Sequence, residues 1–370
     1  MENDIILCIV VATALAFDFT NGFHDTANVV ATSISTRALN PRVAVALAAV
    51  LNFVGAFLSL EVASTIAKDI VDQDTVTTTI VFAGLVGAIA WNLITWYFGL
   101  PSSSSHALIG GVVGAMLAAV GTGAIHADGI VSKVLVPALV APTLAFAAAG
   151  LSIVSSYRIV GRLAPGPVSR GFRVGQVFSG GLLALAHGTN DAQKTMGVIT
   201  LALIASGHLG SDAGVPTWVV ISAATAIALG PYMGGWRIIK TMGSRIIKMD
   251  AAQGFAAQGA GSAVILAATH FGYPLSTTHT ISGAVMGAGA AKRLSAVRWG
   301  VAGNIFIAWV LTLPCAAAVG AAVYAVTHLF GDGAVGPIVV AAAGAAFIGY
   351  MVLRRFQKGA AITTTAEGNA

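Results

Sequence analysis

Hydrophobic residues along this chain gather into long runs separated by short charged loops. The runs cover 5–36, 43–67, 75–98, 106–120, 134–154, 174–206, 217–236, 254–270, 279–291, 299–326 and 337–353. About 20 apolar residues suffice to cross a bilayer as a helix, so the pattern predicts eleven crossings. Two of them, 106–120 and 279–291, are short for a full crossing and read as re-entrant segments. Two others, 5–36 and 174–206, are overlong and polar at their middles, so each is expected to be an interrupted helix.

Composition supports the same class. Of 370 residues 56% are hydrophobic and 9% charged, with mean hydropathy +0.86. A water-facing surface usually needs about a quarter charged residues, so most of this surface is expected to face lipid. The 44 glycines suit close helix packing in a bilayer. The expected fold is an all-α membrane protein, a polytopic bundle of about 10–12 transmembrane helices with discontinuous or re-entrant segments. A net charge of +5 does not point to nucleic acid here, because the basic residues sit in loops between spans. Cys8 and Cys315 lie in apolar runs and read as packed residues rather than a disulfide or metal site. The acidic start, Met1-Glu2-Asn3-Asp4, lacks the basic stretch of a cleavable signal, so the first run is expected to be retained.

Loop charge orients the spans. Most Lys and Arg fall in five loops: Arg37 and Arg42; Arg158, Arg162, Arg170 and Arg173; Arg237, Lys240, Arg245 and Lys248; Lys292, Arg293 and Arg298; and Arg354, Arg355 and Lys358. The intervening loops carry Asp69, Asp72, Asp74, Asp128, Asp212 and Asp332. Basic loops stay cytoplasmic, so the N-terminus is predicted outside and the C-terminus in the cytoplasm.

Two motifs occur twice. Asn21-Gly22-Phe23-His24-Asp25-Thr26-Ala27-Asn28 is matched by His187-Gly188-Thr189-Asn190-Asp191-Ala192-Gln193-Lys194. The stretch from Pro101 through Ser102–Ser105 to His106, with Gly110 and Gly114 following, is matched by Pro274, Ser276–Thr278, His279, Gly283 and Gly287. Asp191 follows Asp25 by 166 positions and Pro274 follows Pro101 by 173. Each half holds five crossings, an odd number, so the second copy is expected to be inverted, with substrate bound between the halves. The division is 1–157 for the first repeat, 158–173 for a basic cytoplasmic connector and 174–326 for the second repeat. An additional C-terminal helix over 327–353 and a cytoplasmic tail over 354–370 complete it.

The repeated residues suggest the chemistry. A carboxylate amid apolar residues usually faces a cavity or an ion, so Asp25 and Asp191 are candidates for binding a cation, sodium or a proton. Helix packing is the plainer alternative. Asn28 lies on the same helical face as Asp25, and Asn190 adjoins Asp191. The runs Ser103, Ser104, Ser105 and Ser276, Thr277, Thr278 follow a proline and open an apolar helix. That places free N–H groups, hydroxyls and a positive dipole end together, a setting that favours an anion. Capping alone would need only one such residue. Lys194 stands where the first copy has Asn28 and is a candidate partner for Asp191 or for the anion. His106 and His279, also duplicated, are candidate charge or proton partners or packing residues. His24 and His187 could relay protons. Asp18 and Glu61 are less readily placed, and Asn52, Asn92 and Asn304 read as interhelical hydrogen bonders.

At these motifs the sequence resembles the inorganic phosphate transporter family. Gly188-Thr189-Asn190-Asp191 fits its duplicated Gly-x-Asn-Asp signature, while Gly22-Phe23-His24-Asp25 has His in place of Asn. The resemblance implies a multi-pass plasma (inner) membrane symporter that imports phosphate with H+ or Na+, without a cofactor and without catalysis. It also implies that the two carboxylates and the two Ser/Thr segments form the substrate and cation site. Carriage of a metal–phosphate complex, or of sulfate by the same architecture, and assembly as a homo-oligomer fit the family as well. An ion channel is a further reading, separated by flux and by the absence of coupling. An intramembrane hydrolase using Ser105 and His106 is the remote one, since adjacent helical residues point about 100° apart.

Overall fold

The structure is a computed structural model that describes residues 2–331, 333–347 and 349. Asp332, the end of the last predicted crossing and the predicted tail with Arg354, Arg355 and Lys358 lie outside the described residues. Among those described, the chain is almost wholly helical, with one isolated β-bridge between Val71 and Ile125.

Local chemistry sets most helix ends. α1 spans Glu2–Ser35, and α2 spans Pro41–Gly55, where the Asn40 side chain accepts from the Arg42 N–H and proline occupies the first turn. After α3 (Glu61–Lys68), α4 runs Thr78–Phe98 from a Thr77 cap to Gly99, whose φ of 68° ends the helix. α5 is Ser104–Ala119, and the short α6 (Ala127–Ile130) passes through a π-turn into α7 (Val136–Val160). α8 is 41 residues long, Pro165–Ala205. α9 (Thr217–Leu229) and α10 (Trp236–Lys240) follow, then α11 (Ala251–His270), opened by a capping box of Asp250 and Gln253. α12 is Thr277–Ala290, α13 is Trp299–His328, and a last helix covers Val335–Phe347.

The order of elements in the second half parallels that in the first. α8 corresponds to α1, the α9–α10 pair to α2–α3, α11 to α4, α12 to α5 and α13 to α6–α7. α11 starts 173 positions after α4, and α12 starts 173 after α5, the same offset as the second motif.

The helix breaks fall elsewhere than the polar pattern predicts. α1 and α8 run unbroken through the Asp25 and Asp191 motifs. The interruptions lie in the next element of each half. The predicted crossing 43–67 divides into α2 and α3, and 217–236 bends by 69° between α9 and α10. At the second break Pro231 is followed by Gly234 and Gly235 at φ of 114° and 126°, which an L side chain rarely adopts. The motif glycines serve close packing instead. A Cβ on Gly22 would lie 2.5 Å from the Ile227 carbonyl oxygen of α9, and one on Gly188 would lie 2.2 Å from that of Asn52 on α2. Each motif helix thus presses on the broken helix of the other half.

The short helices cross over in the same way. A Cβ on Gly114 of α5 would sit 2.0 Å from the Ala317 carbonyl oxygen of α13, and one on Gly287 of α12 would sit 2.0 Å from that of Phe146 on α7. Small residues at these positions let the backbones touch, the mode of association that works in lipid. Large apolar side chains such as Leu139, Leu151, Phe306 and Val310 remain exposed on the outer faces of α7 and α13, as a lipid-facing surface requires.

Four helices are individually long and apolar enough to cross a membrane: Asn3–Ser35, Thr78–Phe98, Ala127–Val160 and Trp299–His328. The bent Thr217–Met233 and Trp236–Arg245 pair brings the number to as many as five among the described residues. The other predicted crossings lie on helices that are shorter (α2, α5, α12) or that carry buried polar residues (α8, α11). The basic segment 158–173 is mostly helical. α7 ends at Val160 and α8 begins at Pro165, so Arg170 and Arg173 sit on α8.

Gly114→Ala should destabilise the protein by about 1–3 kcal/mol through overpacking. Gly259→Ala, on α11, adds a Cβ that meets nothing within 4 Å and should not destabilise. Thermal unfolding in detergent compares the two.

Candidate functional site

The two motif helices and the two short helices meet in the interior. Asp25 on α1 and Asp191 on α8 are both buried. Their carboxylates and the ring of His187 bring ligand atoms within 4.8 Å of one another. Carboxylates separated by 166 positions therefore share one site.

Asp25 is surrounded by donors. Its Oδ1 accepts from the Asn28 amide at 3.1 Å and the Thr278 hydroxyl at 3.0 Å, and lies 3.0 Å from His24 Nδ1. Its Oδ2 accepts from the Ser104 hydroxyl at 2.8 Å. Asn28 also donates to the Thr278 hydroxyl at 2.8 Å. Donors from α1, α5 and α12, hence from both halves, converge on one carboxylate.

Asp191 is held differently. Lys194, one turn on, approaches its Oδ1 at 2.5 Å, while His187 Nε2 lies 3.2 Å and the Thr277 hydroxyl 3.3 Å from Oδ2. Lys194 also donates to the Ser105 hydroxyl at 2.5 Å and to the Leu275 carbonyl at 2.7 Å. The buried cation is thereby fully hydrogen-bonded, the condition under which such a pair is tolerated inside a protein. Where the first half has a neutral amide, the second has a positive charge, so the two carboxylates are electrostatically unequal.

Ser103 and Ser276 are the N-caps of α5 and α12, accepting from the His106 and His279 N–H groups at 3.1 and 3.2 Å. Ser104, Ser105, Thr277 and Thr278 point into the carboxylate and lysine cluster. His106 and His279 stand apart from the carboxylates. Their rings meet edge to face at 4.8 Å, and His279 stacks on Trp309 at 4.0 Å. Neither ring nitrogen of His279 has a hydrogen-bond partner. Asn190 faces away from the cluster. Its amide donates to the Thr269 hydroxyl at 2.8 Å and the Tyr273 carbonyl at 3.1 Å, fixing the turn between α11 and α12. The sequence places it beside Asp191, but neighbours on a helix point about 100° apart.

His187 belongs to the cluster as fully as the carboxylates, with its Nδ1 3.1 Å from the Asn52 side-chain oxygen of α2. Its position four residues before Asp191 puts it on the same helical face, and that spacing was available as a signal. Gln193 carries no such signal: its side-chain oxygen accepts from the Val62 and Ala63 N–H groups at 2.8 and 3.2 Å, capping α3 from the other half. Asp25, His187 and Asp191 are the residues that could hold a cation. The hydroxyls around them could hold an oxyanion.

The phosphate transporter family profile matches residues 21–320. A probable low-affinity inorganic phosphate transporter of Mycobacterium tuberculosis (strain CDC 1551 / Oshkosh) is 56% identical over 327 residues, covering 88% of this chain and 78% of that protein. A probable low-affinity inorganic phosphate transporter of Bacillus subtilis (strain 168) is 46% identical over 330 residues, covering 88% of this chain and 98% of that one. Among solved structures, a sodium-dependent phosphate transporter superposes with a TM-score of 0.77 at 26% identity, covering 88% of this chain and 99% of its own.

Lys194→Met leaves the Asp191 carboxylate buried without its counter-ion and should cost about 3–5 kcal/mol. Adding Asp191→Asn should recover most of that loss. A double-mutant cycle on thermal stability measures the coupling.

Proposed function

The chain belongs to the phosphate transporter family, and we propose that it imports inorganic phosphate by symport with a cation. The two halves act as inverted repeats that alternately open the shared site, with the N-terminus outside and the C-terminus in the cytoplasm. Transport rather than catalysis is the family's business, and the Ser105 hydroxyl is engaged by Lys194 and the Leu275 carbonyl.

One observation carries the mechanism. The hydroxyls suited to an anion are already engaged by the protein's own charges: Ser104 and Thr278 donate to Asp25, Thr277 donates to Asp191, and Ser105 receives Lys194. The carboxylates are the anions these hydroxyls serve. A phosphate arriving among them would compete for the same donors. It would also be repelled, by about 4 kcal/mol per pair of unit charges 4 Å apart at an effective dielectric near 20. A cation on Asp25 and Asp191 removes the repulsion and releases the hydroxyls. Phosphate binding then depends on cation binding, which supports the symport reading. Lys194 places its amino group at one of these hydroxyls, that of Ser105, and the helix N-termini of α5 and α12 supply dipole.

A second reading rests on the Asp25, His187 and Asp191 cluster. A divalent cation entering as a complex with phosphate would satisfy the same carboxylates and accompany the anion as cargo. Its signature is phosphate uptake that requires Mg2+ or Mn2+ and moves that metal with it. Selectivity for phosphate over sulfate is checked by competition, with strong inhibition at similar sulfate concentrations counting against it.

Asp191→Asn should abolish cation-driven uptake into proteoliposomes, and retained cation dependence would overturn its role. Replacing Thr277 and Thr278 together by Ala should raise the phosphate concentration for half-maximal uptake by about tenfold, the loss of roughly one charge-assisted hydrogen bond. Uptake under separately imposed sodium and proton gradients identifies the coupling ion.

A further inference from the structure

Asp18 lies on α1 two turns before Asp25 and is 0% exposed. Neither of its carboxylate oxygens has a hydrogen-bond partner. Asn21 and Thr195 sit beside it as its nearest side-chain donors, but neither makes a well-aligned hydrogen bond to it. The contrast with Asp25 and Asp191 is sharp, because donors crowd both of those groups. An ionised carboxylate buried without donor or counter-ion costs several kcal/mol. These surroundings therefore call for a positive charge on Asp18 itself.

A proton and a metal ion make different demands. A metal ion needs several oxygens around it, and transporter cation sites commonly recruit carbonyls from unwound helix. Here α1 and α8 are unbroken where they pass Asp18, so their carbonyls are committed to the helices. The oxygens left are those of Asp18, Asn21 and Thr195. A proton needs only one of them. A neutral carboxyl group also complements Asn21: its O–H can donate to the amide oxygen, and its carbonyl can accept from the amide N–H.

We propose that Asp18 binds a proton that travels with phosphate, besides the cation held at Asp25 and Asp191, so that the transporter is proton-coupled through a carboxyl outside the phosphate cluster. This rests on the phosphate-symport reading above. The charged groups that face Asp18 are Asp191 and Lys194 of α8. α4 and α9, also packed on α1, contain no Asp, Glu, Lys, Arg or His. Lys194 links the two sites. With Asp18 protonated, Lys194 stays committed to Asp191 and Ser105. With Asp18 ionised, the two carboxylates compete for that one positive charge, and the phosphate site is disturbed. Loss of the proton on the low-proton side thereby favours release of phosphate on the same side.

The test uses the full chain in sodium-free proteoliposomes with labelled inorganic phosphate. Two quantities are read: accumulation driven by an imposed pH gradient, and exchange against internal phosphate without a gradient. Asp18→Asn should reduce accumulation at least about tenfold while reducing exchange less than about threefold, the pattern of a lost driving step rather than lost binding. Asp18→Glu should restore accumulation with a displaced pH dependence. Normal accumulation in Asp18→Asn would overturn the proposal, as would an equal fall of both quantities that Asp18→Glu fails to restore. Wild-type accumulation driven by sodium and not by a pH gradient would overturn it while leaving phosphate transport intact. Absence of wild-type exchange would instead overturn the phosphate reading beneath it.

Discussion

Two buried carboxylates that must find donors in an apolar interior are the constraint around which this fold is organised. Asp25 and Asp191 sit on the two long motif helices, within 4.8 Å of each other once His187 is included. In an apolar interior an unsatisfied charge is expensive, so every nearby element contributes something. The short helices α5 and α12 contribute hydroxyls from their first turns, α1 contributes Asn28 and His24, and α8 contributes Lys194 and His187.

This requirement also explains why the halves interlock rather than stand side by side. Thr278 of the second half donates to Asp25 of the first, and Ser105 of the first receives Lys194 of the second. The packing follows the same rule, with α5 on α13 and α12 on α7 through glycines that permit backbone contact. Gln193 caps α3 across the same divide. Neither half satisfies its own polar groups alone. A ligand or cation that changes the bonding at Asp25 or Asp191 therefore acts on contacts between halves.

Lys194 gives the arrangement its asymmetry. The repeat would place an asparagine there, and the first half keeps one in Asn28. With lysine, Asp191 has an ion-pair partner and Asp25 has only Asn28, hydroxyls and His24. The less compensated carboxylate is the one better placed to exchange its partners. Asp18, with no partner on either oxygen, stands at the far end of that gradation.

A good part of this was legible along the chain. Long apolar runs, the motif pairs at offsets of 166 and 173, and carboxylates inside hydrophobic stretches pointed to a membrane bundle with one shared site. Those features depend on composition and spacing, which folding does not alter. The helix breaks were misplaced because polar residues in a span do not interrupt it when another element satisfies them. Asp25 and Asp191 find donors on α5, α8 and α12, so α1 and α8 remain whole, and the breaks fall where Pro231 and the Gly234–Gly235 pair dictate backbone geometry. Asn190 and Asp191 are adjacent in sequence, yet only the direction of each side chain sends one to the turn and the other to the site. Asp18 lies outside the repeated motif and carried no role along the chain, since its isolation is a property of its neighbours. Spacing along a chain determines which residues share a helix face; which donors arrive from the opposite half is decided only when the two halves close on each other.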